Sequence, residues 1–254
     1  MNLLFIGDVV GKSGCDFLAK KLNQIKRDYN IDITVVNGEN SANGNGITKA
    51  SAESILNCGV DVITTGNHAF KRRESMEIYD NDAIIRPYNY PDGCIGKGIC
   101  VLDMGMCSVA VVNLMGTVYL DPLDNPFTAV DEILSQLDTP NIIVDFHAEA
   151  TAEKKAMGYH LAGKVTAVFG THTHVQTADE TILEEHTGYI TDVGMTGPEN
   201  SVLGVSVKPA VDRLRFRFPV RFSEAEGECF LNGVVINFDN KTGKCTKIDR
   251  IIIR

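Results

Sequence analysis

Short apolar runs rich in β-branched residues recur along this chain, and several end in a side chain able to ligate a metal. Leu3-Leu4-Phe5-Ile6 runs into Gly7-Asp8, and Ile33-Thr34-Val35-Val36 into Asn37-Gly38-Glu39-Asn40. The run at 60–65 leads into Gly66-Asn67-His68, and the run at 141–146 into His147. A last one, 165–169, is followed by Gly170-Thr171-His172-Thr173-His174. Runs this short and this apolar read as buried strands. Their common ending predicts parallel strands with a shared carboxyl-terminal edge, where open α/β sheets gather their sites. Glycines before Asp8, Glu39 and Asn67 would let the backbone turn sharply there.

Helical spacing falls between these runs. It predicts helices over 17–29, with Leu18, Leu22 and Ile25 on one face, and over 51–58, 126–137 and 150–161, with Thr128 a candidate cap for the third. Antiparallel hairpins are predicted at 98–104 with 108–114, and at 228–238 with 245–251. The fold class is therefore α/β, and two sheets packed face to face with helices outside accommodate both patterns. Without a repeat or a linker, residues 1–254 read as a single domain. Segment 198–227, with Pro198, Pro209 and Pro219, fits neither pattern and reads as a cap or oligomer arm. The alternation of Arg213, Arg215, Arg217 and Arg221 suggests a solvated strand face.

A net charge of −9 disfavours a long nucleic acid as partner. A small phosphorylated ligand stays open, because bound divalent ions supply positive charge locally. The 7 cysteines are scattered without any Cys-x-x-Cys spacing, which suits a reducing compartment. No apolar run is long enough to span a membrane, and the first strand starts at once, so a cytoplasmic protein without membrane contact is expected.

Asp8, Glu39, Asn40, Asn67, His147, His172 and His174 offer carboxylate, amide and imidazole donors. Mixed oxygen and nitrogen ligands suit iron, manganese or zinc. The set exceeds what one tetrahedral ion takes, so two ions sharing a carboxylate fit better. Such a pair, about 3.5–4 Å apart, can clamp a phosphoryl group and activate a bridging water. A nucleotide-triphosphate loop is declined: in Gly7-Asp8-Val9-Val10-Gly11-Lys12-Ser13 the glycines stand too close together, and Lys12 and Ser13 read as a helix start. The Asn43-Gly44-Asn45-Gly46 stretch reads equally as a pocket lining or a plain turn, and Lys71-Arg72-Arg73 as a solvated helix start. His160 and His186 carry no partner spacing and read as structural.

Gly7-Asp8, Gly38-Glu39-Asn40, Gly66-Asn67-His68, His147 and Gly170-Thr171-His172-Thr173-His174 resemble, in order, the motif blocks of calcineurin-like metallophosphoesterases. Gly-Glu-Asn followed by Ser41-Ala42-Asn43-Gly44-Asn45-Gly46-Ile47-Thr48, together with the tail Val175-Gln176-Thr177-Ala178-Asp179, resembles the YmdB branch in particular. The resemblance covers nearly the whole chain. It implies a four-layer αββα sandwich of two mixed β-sheets and hydrolysis of 2′,3′-cyclic nucleotides at the 2′-bond, with a metal-bound hydroxide as nucleophile. It assigns Asp8, Glu39, Asn40 and His174 to one ion and Asn67, His147 and His172 to a second, with Glu39 bridging. His68 becomes the proton donor. The first block lacks the superfamily's usual histidine, since Val10 stands there, and Glu39 replaces the usual aspartate. The YmdB branch shares both departures. They make the first ion's shell oxygen-rich, which suits iron, with manganese the alternative. A small cyclic nucleotide is the implied substrate and a homo-oligomer the implied assembly. Two readings compete: a phosphomonoesterase or phosphoprotein phosphatase with the same ions, and a regulatory nucleotide sensor without turnover.

Overall fold

The ligand-tipped runs divide between two sheets instead of sharing one. The computed structural model describes residues 1–254, the side chains of Glu74 and Ser75 excepted. The first sheet holds β1 (Asn2–Ile6), β2 (Asp8–Val9), β3 (Ile33–Asn37), β4 (Val62–Thr64), β11 (Met195–Pro198), β12 (Cys229–Phe238) and β13 (Cys245–Ile253). Its order is β2-β11-β12-β1-β3-β4, with β13 on the outer side of β12. The second holds β5 (Ile99–Asp103), β6 (Ser108–Met115), β7 (Ile142–His147), β8 (Ala167–Thr171), β9 (Thr181–Leu183) and β10 (Thr187–Ile190), in the order β5-β6-β7-β8-β10-β9. β1, β3 and β4 are parallel in the first sheet, and β6, β7, β8 and β10 in the second. β12, antiparallel to β1, β11 and β13 within the first sheet, and β5 and β9, antiparallel at the two margins of the second, make both sheets mixed.

The layers follow from the strands' period of two. Leu3 and Phe5 of β1, with Ile33 and Val35 of β3, pack against Val109, Val111, Ile143 and Phe169 of the other sheet, and the Phe5 and Phe169 ring centroids are 4.9 Å apart. Leu4 and Ile6 face the opposite way, onto α1 (Gly11–Asp28) and α2 (Lys49–Asn57). Val144 and Phe146 likewise face α3 (Pro126–Gln136) and α4 (Thr151–Leu161). The result is the αββα sandwich. Toward the carboxyl ends the inward row changes character. Ile33 and Val35 are succeeded by Asn37, Val62 by Thr64, Ile143 by Asp145 and His147, and Phe169 by Thr171, all of them buried. The apolar seam therefore ends in a polar floor directly beneath the ligand-bearing turns.

Three local expectations need correction. α1 starts at Gly11, where Lys12 and Ser13 pointed and well before residue 17, because Gly11 and Gly14 carry no apolar signal yet pack tightly: a Cβ on Gly14 would lie 2.5 Å from the Thr196 carbonyl. α3 is capped by Asn125, whose side chain accepts the Phe127 N–H at 2.9 Å, and not by Thr128. Arg213 and Arg215 lie on a helix, α5 (Val207–Phe216), and not on a strand, and Arg217 closes it in a left-handed conformation. Of this helix only Ala210 is buried, and its arginines lie in solvent. Among the described residues, no helix is long and apolar enough to cross a membrane.

Candidate metal centre

The turns after β1, β3 and β4 meet those after β7 and β8 at one point. His147 Nε2 is the hub: it lies 2.9 Å from Asn67 Oδ1, 3.0 Å from His172 Nδ1 and 3.3 Å from Glu39 Oε1. Donor atoms of Glu39, His147 and His172 all lie within 4.8 Å of one another. On the other side of Glu39, Asn40 Nδ2 is 3.1 Å from Glu39 Oε1 and 3.1 Å from His174 Nε2, and Asp8 Oδ1 stands 3.6 Å from that same nitrogen. All seven residues singled out as ligands thus come together, around a glutamate at their centre. His68 joins from the rim: its Nδ1 is 2.8 Å from Asn40 Oδ1, and its backbone N–H donates to Glu39 Oε2 at 3.0 Å.

Close approach explains the glycine before Asn67. A Cβ on Gly66 would sit 2.2 Å from the His147 ring, so the turn after β4 can reach that imidazole only without a side chain. The His-x-His run is held differently. His172 and His174 adopt left-handed φ values of 105° and 63°, uncommon for residues with a Cβ. Between them, Thr173 donates its N–H and hydroxyl to Asp192 at 3.0 and 2.7 Å, and Asp192 is paired in turn with the buried Lys154 at 2.6 Å. That pair fixes the turn that carries both imidazoles.

The electrostatics suit cations. Burial alone would raise both carboxylic acids, but His174 outweighs it at Asp8, and His147 and His68 outweigh it at Glu39, which sits well below the usual range. Burial would lower His147; Glu39 reverses this and lifts it to about 9. His172 is lowered by burial and by the neighbouring His147. Fully buried anions persist only beside positive charge, which here comes from imidazolium alone or from ions in their place.

Several contributing residues escaped sequence reasoning. Glu149 Oε2 is 2.9 Å from His172 Nε2, so a carboxylate backs the imidazole whose Nδ1 faces the centre. Asp145 does the same for His147 at one remove: His147 Nδ1 is 2.9 Å from Thr171 Oγ1, which donates to Asp145 Oδ1 at 2.7 Å. Thr64 Oγ1 and Asn37 Nδ2 bond the other oxygen of Asp145. Burial raises this carboxyl to about 6 against the pull of His147. A signal was present, since Asp145 precedes His147 by one strand period. Arg72, read as a solvated cation, instead holds the carbonyls of Ala42 and Asn45 at 2.9 and 2.8 Å, which ties down the 41–46 turn. His160 is removed from the centre and pairs with Asp131 at 2.9 Å.

Comparison with known proteins identifies relatives of the whole chain. A family model described as YmdB-like protein matches residues 4–251. The chain is 46% identical over 256 residues to the 2′,3′-cyclic-nucleotide 2′-phosphodiesterase of Bacillus subtilis strain 168, covering 100% of itself and 97% of that protein. A crystal structure described as a novel phosphatase from Mycoplasma pneumoniae matches with a TM-score of 0.95 at 34% identity, covering 100% of this chain and 93% of that one. A hypothetical protein of Thermus thermophilus matches with a TM-score of 0.94 at 38% identity, covering 99% and 98%. The sequence match over nearly every residue, and the αββα frame that brings the motif blocks to one point, place this chain in the YmdB-like family.

Proposed function

We propose that this chain is a phosphodiesterase that cleaves the 2′-bond of 2′,3′-cyclic nucleotides over a two-metal centre. The observation that carries the reading is the position of Glu39, buried between two donor groups and touching both. Asp8, Asn40 and His174 would hold one ion and Asn67, His147 and His172 the other, with Glu39 shared. The substrate class follows the name of the Bacillus subtilis relative. Iron suits the oxygen-rich donor set, with manganese the alternative. Bound ions of this kind supply positive charge to phosphoryl oxygens and lower the pKa of water.

The chain's own contribution is orientation and a proton. With Nδ1 bonded to Asn40, His68 has Nε2 left to face a leaving group, and its ring is 26% exposed at the rim. Asn40 turns its amide nitrogen toward Asp8 and His174 and its oxygen toward His68. Ligation by the oxygen requires the amide to turn over. The amide N–H would then point at His68 Nδ1 and keep the ring turned with Nε2 toward the rim. One amide would thus tie metal binding to the orientation of the donor.

The test is His68→Ala assayed on two substrates. Turnover of a 2′,3′-cyclic nucleotide is expected to fall about 10²–10⁴-fold with metal content unchanged. Bis-p-nitrophenyl phosphate, whose leaving group departs without a proton, is expected to lose far less. Equal losses on both substrates would remove His68 as acid. Wild-type turnover confined to monoesters would support the phosphomonoesterase reading, and metal binding without any turnover the sensor.

A further inference from the structure

α1 begins directly after the Asp8 strand without a cap of its own: Val10 offers no side-chain bond, and the first turn holds no acidic residue. Exposed helix-start N–H groups attract an anion. The anion here is Glu224, from the far end of the segment that sequence patterns left unexplained. Its Oε2 accepts the Lys12 N–H at 3.2 Å, and its Oε1 accepts the Ser13 N–H at 2.9 Å and the Ser13 hydroxyl. Gly11 is a glycine for the same reason. Its φ is +66°, and a Cβ would lie 2.2 Å from the Glu224 carboxyl carbon. The near-match to a phosphate loop is a helix start built around an internal carboxylate.

Glu224 does not stand alone. It bridges to Val205 in an antiparallel pairing, flanked by Ser206 N–H to the Ser223 carbonyl at 3.0 Å and Ala225 N–H to the Gly204 carbonyl at 2.9 Å. The turn it grips holds Leu203 and Gly204 at φ values of 54° and 94°. That turn presses on Val10, 2.4 Å from where a Cβ on Gly204 would be, and aims the Leu203 carbonyl at His174 Nδ1, 3.2 Å away. A carbonyl can only accept, so this bond commits the Nδ1 proton and leaves the lone pair on Nε2, between Asp8 and Asn40.

We infer that Glu224 is a positioning residue for the metal centre: by clasping α1 it holds the 203–205 turn against Val10, and through the Leu203 carbonyl it sets the tautomer and aim of His174. The inference rests on the proposed metal reading for its consequence but not for its first readout. In metal-free protein at alkaline pH, nitrogen NMR of labelled imidazole is expected to show the Nδ1–H form of His174 in wild type and loss of its preference in Glu224→Ala. Gly11→Ala, which evicts the carboxylate, is expected to do the same with Glu224 present. On loading with manganese, Glu224→Ala is expected to weaken one ion about 10–100-fold and leave the other unchanged. Formate, a small carboxylate, is expected to restore both the tautomer and the affinity saturably. An unchanged tautomer in Glu224→Ala would overturn the inference, as would equal weakening of both ions or rescue by chloride as effective as by formate. Should Glu224→Ala not fold, Glu224→Gln, which keeps one acceptor oxygen, is expected to show a partial tautomer change, and no change there overturns the inference equally. Failure of wild-type protein to bind manganese would count against the proposed function and leave the NMR result to decide this one.

Discussion

Thr171 is the link most easily broken without disturbing shape. Its hydroxyl accepts from His147 Nδ1 at 2.9 Å and donates to Asp145 at 2.7 Å, in a layer where all three residues are 0% exposed. Thr171→Val keeps the volume and removes the hydroxyl. One bond to a carboxylate is lost, and the His147 Nδ1–H is stranded away from water, which together cost about 2–4 kcal/mol. In a chain of this size that lowers the melting temperature by roughly 5–15 °C. The loss depends on pH. Asp145 has its folded pKa raised to about 6 from a reference of 3.8, so the folded state holds the extra proton between those values, and this group's contribution to stability falls as pH rises through them. The missing donor matters most once the carboxyl is ionised, so the deficit is expected to be larger above pH 6 than below it. Urea unfolding of metal-free protein on both sides of that pH measures this directly. In metal-loaded protein, affinity for the ion on the His147 side is expected to fall about 10–100-fold. A Thr171→Val protein within about 0.5 kcal/mol of wild type at neutral pH, with wild-type affinity for both ions, would refute the claim that this relay orients His147.

Other consequences follow from the same geometry. Glu39→Gln is expected to deplete both ions in elemental analysis, and full occupancy of either would end the bridging assignment. Ion binding has to displace the His147 proton: its pKa is raised from 6.5 to about 9, so its stabilising effect in metal-free protein is complete below 6.5 and lost as pH rises through 9. Manganese binding inside that window is therefore expected to release a proton, seen calorimetrically as a heat that varies with the buffer's ionisation enthalpy; a buffer-independent heat contradicts it. Asp192→Asn leaves Lys154 buried without its counter-charge and is expected to cost about 3–5 kcal/mol, with part regained on adding Lys154→Met. Chemical denaturation decides, and additive losses in the double variant would show that the pair acts independently.

What could be read from the sequence was whatever repeats or sits next to a break. Strand runs ending in glycine and a ligand gave Asp8, Glu39, Asn67 and both histidines of the His-x-His run, because burial and turning leave local marks. The helices of the two outer layers were legible from apolar spacing. The polar floor was half legible: Asn37, Asp145 and Thr171 occupy inward positions at the strand period, but only the facing sheet shows that they meet. Glu149 carries no local mark, because its partner, the His172 Nε2 at 2.9 Å, comes from the turn after another strand. Segment 198–227 stayed opaque for a stronger reason. Its decisive contacts run from Glu224 to Lys12 and Ser13 and from Leu203 to His174, so the residues that explain it lie far away in the chain. Alternating arginines there suggested a strand, but Arg213 and Arg215 lie on a helix that buries only Ala210, so little apolar signal marked it.

Because Asp8, Glu39 and Asn67 leave one sheet while His147, His172 and His174 leave the other, the centre exists only while the two halves of the sandwich are docked. Ions held there would act as rivets across the seam, at the end where the apolar packing has already given way to Asn37, Thr64, Asp145 and Thr171. Binding free energy spent on those ligands is then also cohesion between sheets. Chelation should let this end of the sandwich breathe while the Phe5–Phe169 layer stays closed, with faster amide exchange confined to the turns around the centre. In such a molecule heat resistance and competence rise and fall together, and a melting curve serves as a gauge of how much of the protein is ready to work.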